Sequence, residues 1–273
     1  MKVRKEIGDK KGTAEAFNNL ANVYYEQGNY GRSAKMLEKS LEIMLEIGFQ
    51  VGIAGTYNNL GTIYQDLGRY QEALDVHEKG LTIREEIGDM PGVAMSLGNL
   101  GSVDFDLGNF SKAKERLEKS LELQKEMRLR VFEPEAYAYL SLVLLELGQH
   151  VPARQTARKA LSVATEMNQK ANQGIAKRIL GVLEIKQINS NGDTSIDKKT
   201  GNRIELQLTE SLKIFEELKM EHEIGRSCLE LAQLYHLKGD SGEAQKHIFR
   251  AEEIFKKLGA MGDLDKANNL EIK

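Results

Sequence analysis

Residues 57–80 read YNNLGTIYQDLGRYQEALDVHEKG, and the pattern of this stretch returns along the chain at a constant interval of 40 residues. Each copy places an aromatic or apolar residue three positions before a leucine. The leading residues are Phe17, Tyr57, Leu97 and Tyr137, and the leucines are Leu20, Leu60, Leu100 and Leu140. Self-similarity at such a period predicts a solenoid, in which each unit buries its apolar face by stacking on its neighbours.

Two helical patterns make up each copy. In the first copy, one face of an α-helix is formed by apolar residues at i, i+3, i+4 and i+7, namely Phe17, Leu20, Ala21 and Tyr24. A second pattern runs over residues 33–47 and stops at Gly48, because a glycine can adopt the left-handed conformation that ends a helix. The sequence therefore predicts an all-α fold, an α-solenoid of antiparallel helix pairs.

The spacing within one copy resembles the tetratricopeptide repeat (TPR). The second copy fills most places of that family's pattern, with Tyr57, Leu60, Gly61, Tyr64, Gly68, Tyr70, Ala73 and Gly80. The common repeat has 34 residues, whereas the interval here is 40; similar long repeats occur in kinesin light chain, Pins-type G-protein-signalling modulators and bacterial regulators. The resemblance implies a right-handed superhelix whose first helices line a concave groove and whose second helices form the convex back.

We interpret residues 1–273 as a single solenoid. The predicted repeats cover about 12–48, 52–88, 92–128, 132–168, 170–219 and 221–259. The fifth carries an inserted loop, predicted at 188–203, and loops of that size are commonly functional or mobile. Residues 1–9 match the tail of a preceding helix, and 261–273 are either a C-terminal cap or the start of another repeat. We therefore expect a fragment of a longer protein.

Charge, apolar content and cysteine usage restrict the classes of partner and the location that we expect. Net charge is −3 with acids and bases interspersed, which gives no electrostatic footprint for nucleic acid or a membrane surface. No stretch approaches 18 consecutive apolar residues, and the N-terminus has no signal-peptide core. The single cysteine, Cys228, favours a reduced setting. We expect a cytoplasmic protein without nucleic-acid or membrane partners, and its oligomeric state stays open.

A row of asparagines stands just before the repeated leucine, at Asn19, Asn59 and Asn99. An amide both donates and accepts hydrogen bonds, so such a row can bind the backbone of an extended peptide at regular intervals. Similar ladders occur in the TPR superhelices of O-GlcNAc transferases and Pins-type modulators. Further predicted groove residues are Asn22, Tyr25, Gln65, Phe105 and Tyr139, with Asp66 and Asp106 nearby. The alternative is that the asparagines bond only to neighbouring helices or water.

The residues argue against chaperone-tail binding, calcium binding, a histidine metal site and catalysis. Chaperone-tail-binding TPR domains use a lysine and an asparagine in the first repeat, an asparagine in the second, and a lysine and an arginine in the third. The corresponding places here carry Asn18, Asn22, Asn59, Met95 and Asn99, so a buried carboxylate would lack a cation. The inserted loop puts Gln187 and Lys198 where a calcium loop needs acids. The five histidines lack metal-ligand spacing and are predicted at the surface, at His77, His150, His222, His236 and His247. We predict no catalytic residue, metal or cofactor, and hence no enzyme.

The sequence therefore predicts a protein-protein interaction scaffold that binds a peptide or protein segment in the concave groove. We expect it to be the docking or sensing region of a larger regulatory protein. Two alternatives remain. One is the substrate-selecting region of a multidomain kinase, cyclase or transferase. The other is a peptide-pheromone receptor similar to the bacterial Rap-type regulators, which use similarly long repeats.

Overall fold

The computed structural model describes residues 8–190 and 195–270. Thirteen α-helices follow one another in these ranges, and no strand occurs within them. The helices are α1 Lys10–Glu26, α2 Tyr30–Glu46, α3 Gln50–Asp66, α4 Tyr70–Ile87, α5 Met90–Asp106, α6 Phe110–Glu126, α7 Glu133–Glu146, α8 His150–Glu166, α9 Lys170–Ser190, α10 Lys198–Leu218, α11 Glu221–Leu237, α12 Ser241–Leu258 and α13 Met261–Asn268; a 3-10 turn, Arg130–Phe132, precedes α7.

The helices pack as successive antiparallel pairs, from α1 with α2 to α11 with α12, and α13 packs on α12. Each pair also packs against the next one along the chain. The predicted all-α solenoid is therefore confirmed. The six pairs span residues 10–46, 50–87, 90–126, 133–166, 170–218 and 221–258, and the fifth pair, α9 with α10, is longer than the others.

The turns recur every 20 residues, so both halves of a repeat end alike. A residue with positive φ closes each turn, at Gly8, Gly28, Gly48, Gly68, Gly88, Gly108, Arg128, Gly148, Asn168, Lys219, Gly239 and Gly259. This left-handed residue lets the chain leave one helix and enter the next within a few residues. Residue 188 would continue the series, but it lies inside α9.

The inserted loop is shorter than predicted. Residues 188–190 belong to α9 and residues 198–203 to α10, and each of these helices has 21 residues. Asp197 caps α10, because its side chain accepts hydrogen bonds from the backbone N–H groups of Lys199 (3.0 Å) and Thr200 (3.1 Å). Most of the insertion thus lengthens two helices. The proposed tail at 1–9 falls largely outside the described residues.

Small residues let paired helices approach closely. Three serines on the second helices α2 and α6 donate their hydroxyl to a backbone carbonyl of the partner helix: Ser33 to Ala21 (2.7 Å), Ser40 to Ala14 (2.8 Å) and Ser120 to Ala94 (2.6 Å). All three serines are fully buried. The repeated leucines complete the core, since Leu60, Leu100 and Leu140 are buried and Leu20 is half-buried.

The C-terminal end of the solenoid, α12 and α13, contacts the first two repeats. A Cβ built on Gly68 would lie 2.8 Å from the backbone nitrogen of Gly262, and a Cβ on Gly28 would collide with the side chain of Leu258. One core cluster includes residues of both ends, among them Tyr30 and Leu264. The described solenoid therefore closes on itself and surrounds its concave side.

Candidate peptide-binding cavity

A cavity of about 600 Å³ lies on the concave side. Its walls come almost entirely from the first helices of the pairs, α1, α3, α5, α7, α9 and α11, and from α13. This is the placement that the resemblance implied. The volume falls in the range of about 300–1,000 Å³ that small-ligand pockets occupy.

The structure brings five of the eight predicted groove residues into this cavity: Tyr25, Gln65, Asn99, Phe105 and Tyr139. The other three do not line it. Asn19 and Asn22 are exposed on α1, and Asn59 is half-buried on α3. A ligand confined to the cavity would thus contact only Asn99 of the three asparagines in the predicted row.

Amides form bonds between neighbouring repeats. Asn99 Nδ2 donates to Asn58 Oδ1 at 2.7 Å, and Asn18 Nδ2 donates to Thr56 Oγ1 at 3.2 Å. Asn99 therefore faces the cavity while one of its donors is already used by the adjacent first helix. A hydrogen bond to a neighbouring helix is what the alternative interpretation of the asparagines predicted.

A second set of polar contacts crosses the same repeats closer to the helix ends. Gln65 Nε2 donates to Asp106 Oδ2 at 2.7 Å and lies 3.2 Å from Ser102 Oγ. The Tyr25 hydroxyl donates to Asp66 Oδ2 at 2.7 Å. These contacts hold polar side chains on successive first helices in fixed positions along one wall.

Paired charges form another part of the cavity wall. Glu223 accepts from Arg178 (2.9 Å) and from Arg226 (3.0 Å), and Asp263 accepts from Arg226 (2.8 Å) and Lys266 (2.9 Å). Burial opposes the charge of Glu223, but the two guanidinium groups outweigh it and lower its pKa. Sequence reasoning missed this wall, because it joins α9, α11 and α13 across the irregular fifth repeat. The local signals were two i, i+3 spacings, of Glu223 with Arg226 and of Asp263 with Lys266.

Acids outnumber bases in the cavity. Among the lining residues are seven acids and four bases, and each base pairs with an acid of the cavity wall. Within the described residues, Glu135 and Glu230 have no ion-pair partner. Burial raises the pKa of both carboxyls, and also that of Asp106. Glu135 is nevertheless exposed, because its carboxyl points into the water-accessible space that the protein encloses.

Aromatic rings give the cavity an apolar corner. The ring of Phe105 lies 5.8 Å from that of Phe110 and meets the ring of Tyr139 edge-on at 6.3 Å. Leu142 and Ile175 line the same cavity. The site therefore combines an apolar surface, amide and hydroxyl groups, and the two carboxyl groups of Glu135 and Glu230, which form no ion pair within the described residues.

The prediction that all five histidines lie at the surface is wrong for two of them. His77 is 1% exposed and His222 is 8% exposed. His77 fits beneath Gly61, which has no side chain to exclude its ring. His222 lies between two carboxylates, with Nε2 2.7 Å from Asp263 and Nδ1 3.1 Å from Asp66. Neither environment is visible in the spacing of the histidines along the chain.

The described residues form neither a metal-ion cluster nor a membrane-spanning helix. No group of three or more histidine, cysteine, aspartate or glutamate side chains there is arranged to hold a metal ion. None of the helices within 8–190 and 195–270 has the length and apolar character needed to span a bilayer.

Comparison with known families decides the classification. Three family models, each described as a tetratricopeptide repeat, match residues 13–47, 52–126 and 99–171. The chain belongs to the tetratricopeptide repeat family. No curated protein matches this TPR chain in sequence. Its likeness to the 40-residue repeat type stays a prediction.

Solved structures share the fold of this TPR chain. The apo form of RapI has a TM-score of 0.74 at 20% identity, over 94% of this chain and 88% of that one. The Rap conjugation gene regulator of plasmid pLS20 in complex with the Phr* peptide has a TM-score of 0.71 at 19% identity, over 96% and 66%. A Rap protein complexed with competence and sporulation factor has 0.70 at 16%, over 91% and 65%. This chain thus spans about two thirds of the two complexed proteins.

Proposed function

We propose that this TPR chain binds a peptide or protein segment inside the cavity, as the docking or sensing region of a larger regulatory protein. The observation that carries the proposal is the cavity itself, which the first helices of successive repeats enclose. Its mixture of fixed polar groups and apolar surface suits a peptide, since backbone amides need hydrogen-bond partners and side chains need pockets. Two similar structures are complexes, with Phr* peptide and with competence and sporulation factor.

The ligand carries a positive group and an apolar side chain. Glu135 and Glu230 form no ion pair among the described residues, and the loss of hydration at both sites raises the pKa of their carboxyls. A lysine, an arginine or a peptide amino terminus would supply the missing charge. The apolar side chain would lie against Phe105 and Tyr139. Asn99 and Gln65 would meet the peptide backbone.

The test begins with an unbiased library of random peptides selected against the whole chain. Fluorescence anisotropy then measures the affinity of a selected peptide for the protein and its variants. We expect Glu135→Gln and Glu230→Gln each to weaken binding at least several-fold, because a charge-assisted contact contributes about 1.5–3 kcal/mol. Glu253→Gln, at an exposed position of α12 on the convex side, is the matched control and should bind as the wild type does.

The asparagines separate a cavity ligand from a longer one. Asn99→Ala should weaken binding by about 0.5–1.5 kcal/mol, the usual net contribution of one hydrogen bond. Equal losses of affinity in Asn19→Ala and Asn59→Ala would show that the peptide continues beyond the cavity along the whole row of asparagines. Selected peptides without positive charge, bound equally well by all the cavity variants, would contradict the proposal.

A peptide-pheromone receptor is the second candidate, and the Rap-like fold favours it over the substrate-selecting region of an enzyme. We assign no catalytic residue in either case. We also propose a cytoplasmic location, which the lone buried thiol of Cys228 supports. Selected peptides that also act when added outside living cells would distinguish the receptor from an intracellular docking module.

A further inference from the structure

The end-to-end contact of the solenoid is centred on His222, at the start of α11. Its Nδ1 lies 3.1 Å from Asp66 Oδ1 on α3, and its Nε2 lies 2.7 Å from Asp263 Oδ2 on α13. Its ring also lies 6.0 Å from the ring of Tyr30 on α2 and meets Phe255 of α12 edge-on at 5.8 Å. One buried imidazole therefore touches both ends of the array.

The geometry requires a particular protonation state. A neutral imidazole has a single N–H, so it can donate to only one of two carboxylates, while its bare nitrogen faces the other. The imidazolium donates from both nitrogens and adds opposite charge to each contact. The arrangement seen here, with a carboxylate oxygen at each ring nitrogen, is thus that of protonated His222.

Titratable and charged groups surround this contact on every element that packs there. They are Tyr25 on α1, Tyr30 on α2, Asp66 on α3, Glu221, Glu223 and Arg226 on α11, Lys257 on α12, and Asp263 and Lys266 on α13. Arg226 and Lys266 already pair with Asp263, and Tyr25 already donates to Asp66. Among the described residues, the ion-pair contact of His222 is the one that joins α11 directly to the carboxylate of α3.

We propose that protonated His222 is a pH-sensitive clasp that holds the two ends of the solenoid together and so closes the ring around the cavity. Deprotonation leaves Asp66 facing a lone pair and removes the ionic part of the contact. The first two repeats then separate from the last one. That this opening controls entry of a ligand rests on the proposed function; the clasp itself does not.

The pH range follows from the contacts. Burial and the nearby Arg226 oppose the charge of His222, but the hydrogen bonds to Asp263 and Asp66 outweigh them and raise its pKa above the usual 6.5. The stabilisation of the closed ring is therefore complete below about pH 6.5, the value for an exposed histidine. It is lost as pH rises through the higher pKa of the closed ring, and between the two values the closing equilibrium falls by about tenfold per pH unit.

Distance measurement between spin labels tests the clasp without any peptide. Lys35→Cys on α2 and Lys256→Cys on α12 place labels at exposed positions on either side of the contact. The native Cys228 stays unlabelled, because it is fully buried and burial raises its pKa to about 11. Double electron–electron resonance then records the distance distribution between pH 6 and pH 9. We expect one short distance at pH 6 and a growing population of longer distances as pH rises.

Variants assign the response to this histidine. His222→Gln should abolish the pH response in this range and show longer distances already at pH 6. Asp66→Asn removes one carboxylate, so its opening should occur at a lower pH than in the wild type. His150→Gln, at an exposed position on α8, is the matched control and should keep the wild-type response. Circular dichroism of each variant checks that the helices are intact, and Asp66→Asn carries the test should His222→Gln unfold.

A distance distribution that stays constant from pH 6 to pH 9 in the wild type would overturn the clasp. So would a pH response that persists unchanged in His222→Gln or Asp66→Asn. Because no ligand is present, these failures leave the proposed binding of peptides untouched. Conversely, a clasp that responds as expected in a chain that selects no peptides would refute only the proposed function.

Discussion

At the residue scale, a histidine without hydrogen-bond partners is buried in the second repeat. Both ring nitrogens of His77 lack a partner among the described residues, and the side chain is 1% exposed. Gly61 on the adjacent helix leaves the space that the ring fills. Burial, assisted by the positive charge of Arg84, lowers the pKa of His77 to about 4. His77 therefore stays neutral in the folded protein at neutral pH.

This environment predicts an acid-sensitive contribution to stability. The unfolded chain binds a proton at His77 below about pH 6.5, whereas the folded chain does so only near pH 4, so this contribution to the free energy of unfolding falls across that interval. The full shift corresponds to a loss on the order of 3 kcal/mol. His77→Leu should remove it, and urea unfolding followed by circular dichroism at several pH values measures the difference.

Other groups that titrate in this range contribute equally to both proteins, so only the difference between variant and wild type matters. His150→Leu is the matched control, because His150 is exposed. The difference between His77→Leu and the wild type should grow in favour of the variant as pH falls from 7 to 4.5. A difference that does not vary with pH would show that His77 titrates as it does in the unfolded chain.

The same scale shows why the two buried histidines escaped prediction. His77 stands at the repeat position that Leu37 and Leu117 occupy 40 residues before and after it, and both leucines are buried, so the repeat period carried a signal for its burial. The space beneath Gly61 arises only when α3 and α4 pair. His222 acquires its partners from residues 156 positions earlier and 41 positions later in the chain. The environment of His222 is set by contacts between distant repeats, and these are not encoded in local spacing.

At the scale of the helices, the repeat period predicted nearly all of the architecture. The helix ends follow from glycines that recur at a fixed interval, and the apolar face follows from the positions around the repeated leucine. The fifth repeat is the exception. Its asparagine, glycine and aspartate residues favoured a long loop, yet Asp197 starts α10 earlier than predicted. An acidic residue before a helix is a readable cap signal, and weighing it would have shortened the loop.

Truncating a repeated leucine should lower the free energy of unfolding more when more neighbouring residues bury that leucine. Leu60 is 2% exposed, between pairs on both sides, whereas Leu20 is half-buried in α1. Leu60→Ala should lower the free energy of unfolding by about 2–5 kcal/mol, through lost burial and a cavity. Leu20→Ala should cost clearly less. Chemical unfolding of both variants measures this, and a loss below about 1 kcal/mol for Leu60→Ala would contradict the packing described here.

At the scale of the whole molecule, the sequence predicted a concave binding side but not its closure. The resemblance to TPR proteins implied that first helices line the groove, and Tyr25, Gln65, Asn99, Phe105 and Tyr139 do line it. Closure depends on the summed rotation of successive pairs, and no single repeat encodes that sum. The charged wall of Arg178, Glu223, Arg226, Asp263 and Lys266 joins α9, α11 and α13, and it was missed because the fifth repeat interrupts the register there.

The central claim is that a peptide binds within the enclosed cavity, and hydrogen exchange measured by mass spectrometry tests it most directly. The protein is compared with and without a saturating peptide selected from the random library. Backbone protection should increase in the first helices that line the cavity, above all α5, α7 and α11, and stay unchanged in the second helices α4, α6 and α8. Protection confined to the second helices, or to the segment between α9 and α10, would place the ligand outside the cavity and contradict the account.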